Sequence, residues 1–421
     1  MRNKLSIRNV LFSVVTCLLL CGPTLLFVAE RMGASLPSWL TAEDATYLSG
    51  GIKYPDVVGE LSLEGFASGD LQQAIEDEVG NFIPAKGAVL LLNAGLQHEA
   101  ICASNVLLGW DCLPAFYGSS LVVTTTGGGR LLETAEKATP QTLENCSSMA
   151  DLYDQFAERH PELRAFLYFA PDSLNVTGAP TARLVSNPLT YDKVREIFDG
   201  RLSPYVWVDG DMPYEDFAGR WYKTDHHWTV DGAYDAYRRI AEAMEVGELI
   251  EEGEAIVYDQ PSFYGSLTRR SLNESFDDHV KDYSFPYPDF KVAIDGEESS
   301  FESLLHKGRY EEGSWNPNKF ANRYAEYFHN DFGLIQIDNP EPTVNESLLI
   351  VGDSYTNCME RFLAANFATT YVLDPRNDER TIDEFLADHP DVNNVLFLMR
   401  STNFFSETTR KALSASCALV R

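Results

Sequence analysis

Positive charge is scarce in this 421-residue sequence: 33 Lys and Arg stand against 63 Asp and Glu, for a formal net charge of −30. That balance argues against nucleic acid as a partner, because holding phosphates takes clustered Lys and Arg that displace counterions. An anionic polymer would likewise be repelled unless the cleft carried a local basic lining. Cysteine is sparse as well, and none of the seven stands in Cys-x-x-Cys spacing, so no zinc site of that pattern is encoded. What is abundant is ordinary core material: 44% hydrophobic and 12% aromatic residues with 23% charged describe a packed chain and not a disordered one.

Val10 to Val28 is a 19-residue run without a charged side chain, long enough to cross a bilayer as a helix. Arg2, Lys4 and Arg8 precede it, so the positive-inside bias predicts a single-pass anchor in the cell membrane with everything after Glu30 outside the cytoplasm. A cleaved signal peptide is the other reading, since Gly22 and Pro23 interrupt the run and Ala29 and Ala34 are small. Both export the body of the protein. Its five cysteines, Cys102, Cys112, Cys146, Cys358 and Cys417, then leave room for one or two disulfides, with Cys102 and Cys112 the nearest pair.

The chain divides into an anchor (1–29), a Gly- and Pro-containing linker (30–60) and a domain over 61–421. A helix is predicted from Pro84 to Cys102 on the spacing of Val89, Leu92, Leu96 and Ile101. From about residue 149 helices alternate with apolar runs. The helices are Met149–Arg159, Tyr191–Phe198, Thr356–Asn366 and Thr381–Ala387. The runs are Ala165–Ala170, Tyr205–Val208, Leu348–Val351, Thr370–Leu373 and Val395–Met399. Runs apolar on both faces between amphipathic helices predict an α/β fold, a doubly wound parallel sheet flanked by helices. The carboxyl-end rule selects Gly352–Tyr355, Asp374–Asn377 and Arg400–Asn403 as rim loops. Residues of about 250–345 break the pattern and read as an insertion, either a cap over the cleft or a structural excursion.

Two motifs carry chemistry. Gly352-Asp353-Ser354-Tyr355 follows a strand and precedes a helix, which places Ser354 where free N–H groups and the positive dipole end stabilise an oxyanion. Such a tetrapeptide also makes turns and caps. Thr224-Asp225-His226-His227-Trp228 precedes a helix with Ala233, Tyr237, Ile240 and Met244 on one face. In extended backbone Asp225 and His227 share a side and His226 is directed away, which suits a base with its orienting carboxylate. His226 on this reading is a partly buried polar residue. Asp-His-His also occurs in metal-dependent phosphoesterases, with Asp209-Gly210-Asp211 as an upstream Asp-x-Asp. Nothing else at ligand spacing follows, so neither a metal nor another cofactor is expected.

Tyr222 to Thr229 resembles the signature of the DHHW family of bacterial exported proteins, and Gly352–Tyr355 resembles its serine block. That family is SGNH-hydrolase-like and related to the periplasmic alginate O-acetyltransferases. The resemblance runs over about residues 60–421, with looser echoes at Gly65–Pro84 and Asp374-Pro375-Arg376. It implies an SGNH-like domain in permuted motif order, with Ser354 as nucleophile, His227 as general base and Asp225 as its partner. No Gly-x-Asn-Asp block is present, which leaves the second oxyanion or substrate donor among Asn330, Tyr355, Arg376 and Asn403. The implied activity is O-acetyl transfer to a cell-surface polysaccharide or cell-wall glycan through an acyl-serine, with a membrane-bound O-acyltransferase as acetyl donor. A carbohydrate esterase or deacetylase using the same residues and a catalytically silent polysaccharide-assembly protein are the alternatives.

Overall fold

The computed structural model describes residues 7–35, 37, 57–81, 86–109, 112–117, 120–125, 129–199 and 205–415. They fall into two compact units, one mainly from residues up to Trp110, the other mainly from Leu121–Thr268 and Glu274 onward.

The first unit is helical, with helices Ile7–Arg31, Leu63–Ser68, Asp70–Asn81 and Lys86–Leu108. Ser62 caps the second of these by accepting from the Gly65 N–H at 2.9 Å, and Gly69 ends it at φ +91°. The apolar run Val10–Val28 lies in Ile7–Arg31, part of whose side chains fall outside the described residues. Among the described residues no helix is long and apolar enough to cross a membrane. Most of segment 30–60 lies outside the described residues too. The helix expected to start at Pro84 is seen as Lys86–Leu108, Pro84 itself being outside the described residues. Its stripe of Val89, Leu92 and Leu96 is exposed. Cys102 is a free thiol, so the nearest cysteine pair makes no bridge; Cys146 and Cys358 are free and buried.

The second unit is built on an eight-stranded sheet. Its strands are β1 (Arg164–Ala170), β2 (Tyr205–Trp207), β3 (Lys291–Ile294), β4 (Glu297–Ser299), β5 (Leu334–Asp338), β6 (Val344–Gly352), β7 (Phe367–Leu373) and β8 (Val392–Arg400). Their spatial order is β2-β1-β8-β6-β7-β5-β3-β4. The five strands from β2 to β7 run parallel. β5, β3 and β4 extend the sheet by antiparallel pairing. The expected parallel sheet is thus seen in its five central strands, and the sheet as a whole is mostly parallel with an antiparallel extension. The first of the added strands, β5, is half-covered: Ile335 and Ile337 are buried while Leu334, Gln336 and Asp338 are partly open, the alternation of an antiparallel strand with one wet face.

Successive residues of the central strands feed two cores. Leu348, Ile350, Leu396 and Leu398 face one that includes helices α3 (Val230–Ala243) and α5 (Thr356–Ala364). Leu349, Val351, Val395 and Phe397 face the other, with α1 (Pro140–Arg159), α2 (Tyr191–Phe198) and α6 (Ile382–Asp388). A further helix, α4 (Arg323–Phe328), belongs to the first core through Tyr324, Tyr327 and Phe328. Leu348 to Val351 are wholly buried, each contributing about 1.5–3 kcal/mol of burial energy. This is why the run reads as uniformly apolar, and it fixes the strand whose carboxyl end carries Ser354.

Candidate active site

β6 ends at Gly352, where a Cβ would stand 2.1 Å from Thr356 Cγ2 and 3.0 Å from the Leu398 carbonyl oxygen. Only glycine lets the chain turn there into α5. The turn is fixed through Asp353: its Oδ1 accepts the Tyr355 N–H at 3.0 Å, and its carbonyl accepts both the Thr356 N–H and hydroxyl at 2.8 Å. Its Oδ2 takes the Arg400 N–H at 3.1 Å and Asn403 Nδ2–H at 2.8 Å, tying the serine turn to the end of β8. Asp353 and Tyr355 are buried, and Ser354 between them is partly open.

The second motif forms the tip of a tight excursion. Trp221 and Trp228 bridge antiparallel, with the Tyr222 N–H on the His227 carbonyl at 3.1 Å and the Thr229 N–H on the Arg220 carbonyl at 2.8 Å. Fully buried Trp228 packs on the Tyr355 ring with centroids 4.9 Å apart, and the Tyr355 hydroxyl donates to the His226 carbonyl. The backbone between the tryptophans is bent, not extended as expected. Asp225 and His227 meet because the Asp225 carboxylate accepts the N–H two residues on, at 3.0 Å, as in an Asx turn. The same Oδ1 lies 2.6 Å from His227 Nδ1, and His227 Nε2 lies 2.8 Å from Ser354 Oγ. A carboxylate only accepts, so Nδ1 carries the proton and Nε2 offers its lone pair to the serine hydroxyl.

His226 does not point away. Its ring packs on His227 at 3.9 Å between centroids, and its Nδ1 lies 2.6 Å from Ser266 Oγ. Burial first, then the neighbouring His227, hold its pKa well below the ordinary value and keep it neutral. Asp225, His226 and His227 place potential ligand atoms within 4.8 Å of one another. Asp225 already accepts from His227 through Oδ1 and from the Ser266 N–H through Oδ2, each at 2.6 Å.

The residues holding this tip come from the irregular segment after position 250. Buried Asp278 accepts the Thr224 N–H at 2.7 Å and the Lys223 N–H at 3.0 Å. Gly265 gives its N–H to Thr224 Oγ1 at 3.1 Å and crowds Asp225 too closely for any Cβ. Tyr324 stacks on His227 and reaches the Ser354 carbonyl. From the other side Arg130 donates to the Trp221 and Tyr222 carbonyls at 2.9 and 2.8 Å. None of these residues is singled out by the sequence motifs; the glycine after Tyr264 is the one local signal that marks a close approach.

The remaining candidates sit as follows. Asn403 Nδ2 is engaged by Asp353. Arg376 chelates Asp374 and pairs with Asp331 at 3.0 Å; burial works against its charge, but these carboxylates raise its pKa above the ordinary value. Asn330 is exposed, its carbonyl receiving His329 Nδ1. Tyr355 is buried, holding the His226 carbonyl. Arg400 lies buried between Asp172, at 3.0 Å, and Glu133, at 2.7 Å. Asp209 and Asp211 are engaged by Arg195 and Thr177, each at 2.8 Å, with no histidine among those contacts.

Residues 214–373, which contain both motifs, match the family model described as DHHW protein, so the resemblance read from the sequence holds over that span. A solved DHHW family protein from Eubacterium siraeum superposes at a TM-score of 0.57 with 19% identity, covering 72% of this chain and 98% of its own. Bacillus cereus PatB1, solved with a sulfonyl adduct, superposes at 0.56 with 17% identity, covering 70% and 98%. These likenesses establish the shared fold. No curated protein matches the sequence.

Proposed function

We propose that this chain is a serine acyl-transfer enzyme, an O-acetyltransferase that modifies a cell-surface or exported glycan through an acyl-Ser354 intermediate. The observation that carries the reading is the continuous line from Asp225 Oδ1 through His227 to Ser354 Oγ, with spans of 2.6 and 2.8 Å. His227 Nε2 takes the Ser354 proton as Oγ attacks the acyl carbonyl. Asp225 holds the tautomer and stabilises the imidazolium. The oxyanion forms beside the Ser354 N–H at the amino end of α5, where the helix dipole favours negative charge. His227 returns the proton to the leaving group. It then deprotonates a glycan hydroxyl, which attacks the acyl carbon; the bond to Ser354 Oγ breaks, His227 returns the proton to Oγ, and the glycan leaves as the ester. With water as acceptor the same two steps are hydrolysis.

The export of the body, with residues 10–28 as a membrane anchor, is part of the proposal and rests on Val10–Val28 and its flanking Arg and Lys. An anchored enzyme of this kind receives acetyl groups at the membrane surface, from a membrane-bound O-acyltransferase. Incubation with p-nitrophenyl acetate as acetyl donor and cell-wall glycan as acceptor tests the reading. Acetyl-Ser354 trapped by acid quench and acetylated glycan are expected, and both are lost in Ser354→Ala. Nitrophenol release with only free acetate would make the protein an esterase; no release at all would overturn the enzymatic reading.

A further inference from the structure

Catalysis by an imidazole needs more than two hydrogen bonds. The lone pair on Nε2 lies in the ring plane, so the plane must contain the serine oxygen for the proton to pass. Bonds at Nδ1 and Nε2 locate the nitrogens but leave the tilt of the ring soft. In this structure the tilt is fixed from outside the motifs. The Tyr324 ring lies face to face with His227, with centroids 3.8 Å apart and planes 1° from parallel. Its hydroxyl donates to the Ser354 carbonyl at 2.9 Å. His226 is the second ring against the imidazole, at 3.9 Å and 36°.

We infer that Tyr324 is a positioning residue of the acyl-transfer site: one rigid side chain registers the plane of the base against the backbone that carries the nucleophile. This rests on the reading of Ser354 and His227 given above. Tyr324 is itself 1% exposed. Burial raises its hydroxyl pKa well above the ordinary value, so it stays protonated and acts as a donor, not as an acid or base. It projects from α4, a helix capped by Asn322, whose side chain accepts the Ala325 N–H at 3.4 Å, and braced by the Arg323–Glu326 pair at 2.5 Å. When His227 becomes an imidazolium, its charge lies over the tyrosine ring, and an aromatic face attracts a cation. The segment of 250–345 is on this account a working part of the site: Ser266 holds Asp225, Gly265 and Asp278 hold Thr224, and Tyr324 holds His227.

The test compares Tyr324→Phe, Tyr324→Leu and Tyr324→Met in the full chain, by steady-state hydrolysis of p-nitrophenyl acetate together with a thermal melt. Phenylalanine keeps the stacked face and loses one hydrogen bond, so kcat is expected to fall by less than about tenfold. Leucine and methionine lose the face. With the ring free to tilt, kcat is expected to fall by about 100-fold, while KM stays within about threefold because Tyr324, 1% exposed, offers almost no surface to a substrate. Methionine, nearer the tyrosine in length, carries the comparison if the leucine variant melts below the assay temperature. A methionine or leucine variant that is folded and keeps kcat within about threefold of wild type would overturn the inference. So would equal losses in Phe and Met, which assign the effect to the hydroxyl alone. Labelling of wild-type Ser354 by a sulfonyl fluoride reports separately on the acyl-transfer reading.

Discussion

The Cα of Gly265 faces the side chain of Asp225 so closely that a Cβ there would stand 2.4 Å from Asp225 Cβ and 2.6 Å from its Oδ2. The Thr224 carbonyl oxygen is also 2.6 Å away, so nothing on that side yields cheaply. Gly265→Ala is therefore expected to push the carboxylate off His227 without touching any reacting atom. Overpacking of this kind costs about 1–3 kcal/mol of stability, and a misplacement of about 1 Å costs about 100-fold in rate. A thermal melt and p-nitrophenyl acetate turnover on the same sample check both; an alanine variant with wild-type turnover would show that Asp225 does not set the rate.

Asp225→Asn keeps the shape of the side chain but presents an amide that can donate to His227 Nδ1 and stabilise the wrong tautomer. Turnover is expected to fall by about 10³–10⁴ with the fold intact. Circular dichroism and residual turnover check it, and a loss under tenfold would remove Asp225 from the chemistry.

Asn403 is a candidate oxyanion donor on sequence grounds, yet its Nδ2 is bonded to Asp353 Oδ2 at 2.8 Å. Asn403→Ala is expected to lower turnover by less than about tenfold, against the 10²–10³ that removal of an oxyanion donor costs. A loss in the larger range would reinstate it as a donor to the reacting group.

His329, at the end of α4, and Glu360, on the helix that begins beside Ser354, make a buried pair at 3.0 Å, and His329 Nδ1 lies 2.5 Å from the Asn330 carbonyl. Both ring nitrogens face oxygens that only accept, so the ring is an imidazolium. Burial opposes that charge, but Glu360 outweighs it and raises the His329 pKa above 6.5. A raised pKa stabilises the fold fully below the unfolded value of about 6.5, and the contribution is lost as pH climbs through the folded value. The melting-temperature gap between wild type and His329→Gln is thus expected to be largest below about pH 6.5 and to shrink at higher pH. A gap that is flat or widens with pH would contradict the pairing.

Much of this was legible in the sequence because the central strands are buried on both faces. Leu348–Val351 and Val395–Met399 read as uninterrupted apolar runs, and the two motifs mark the strand end and the bent tip that meet. The antiparallel strand Leu334–Asp338 carries a weaker signal, Ile335 and Ile337 alternating with Gln336 and Asp338, which a search for double-sided burial passes over. Tyr324 lies on a helix of six residues, too short to show a period, and its contacts with His227 and Ser354 depend wholly on tertiary packing. His226 departs from the expected direction for a physical reason: the rule that alternate residues share a side holds for extended backbone, and an Asx turn at Asp225 replaces it.

The central claim is that His227 activates Ser354, and the most direct measurement is the rate and site of sulfonylation by phenylmethylsulfonyl fluoride, followed by peptide mass mapping. The account predicts a single adduct on Ser354 in the wild type, none in Ser354→Ala, and labelling slowed by at least about 100-fold in His227→Ala. An adduct elsewhere, or a His227→Ala variant labelled on Ser354 as fast as wild type, would contradict it.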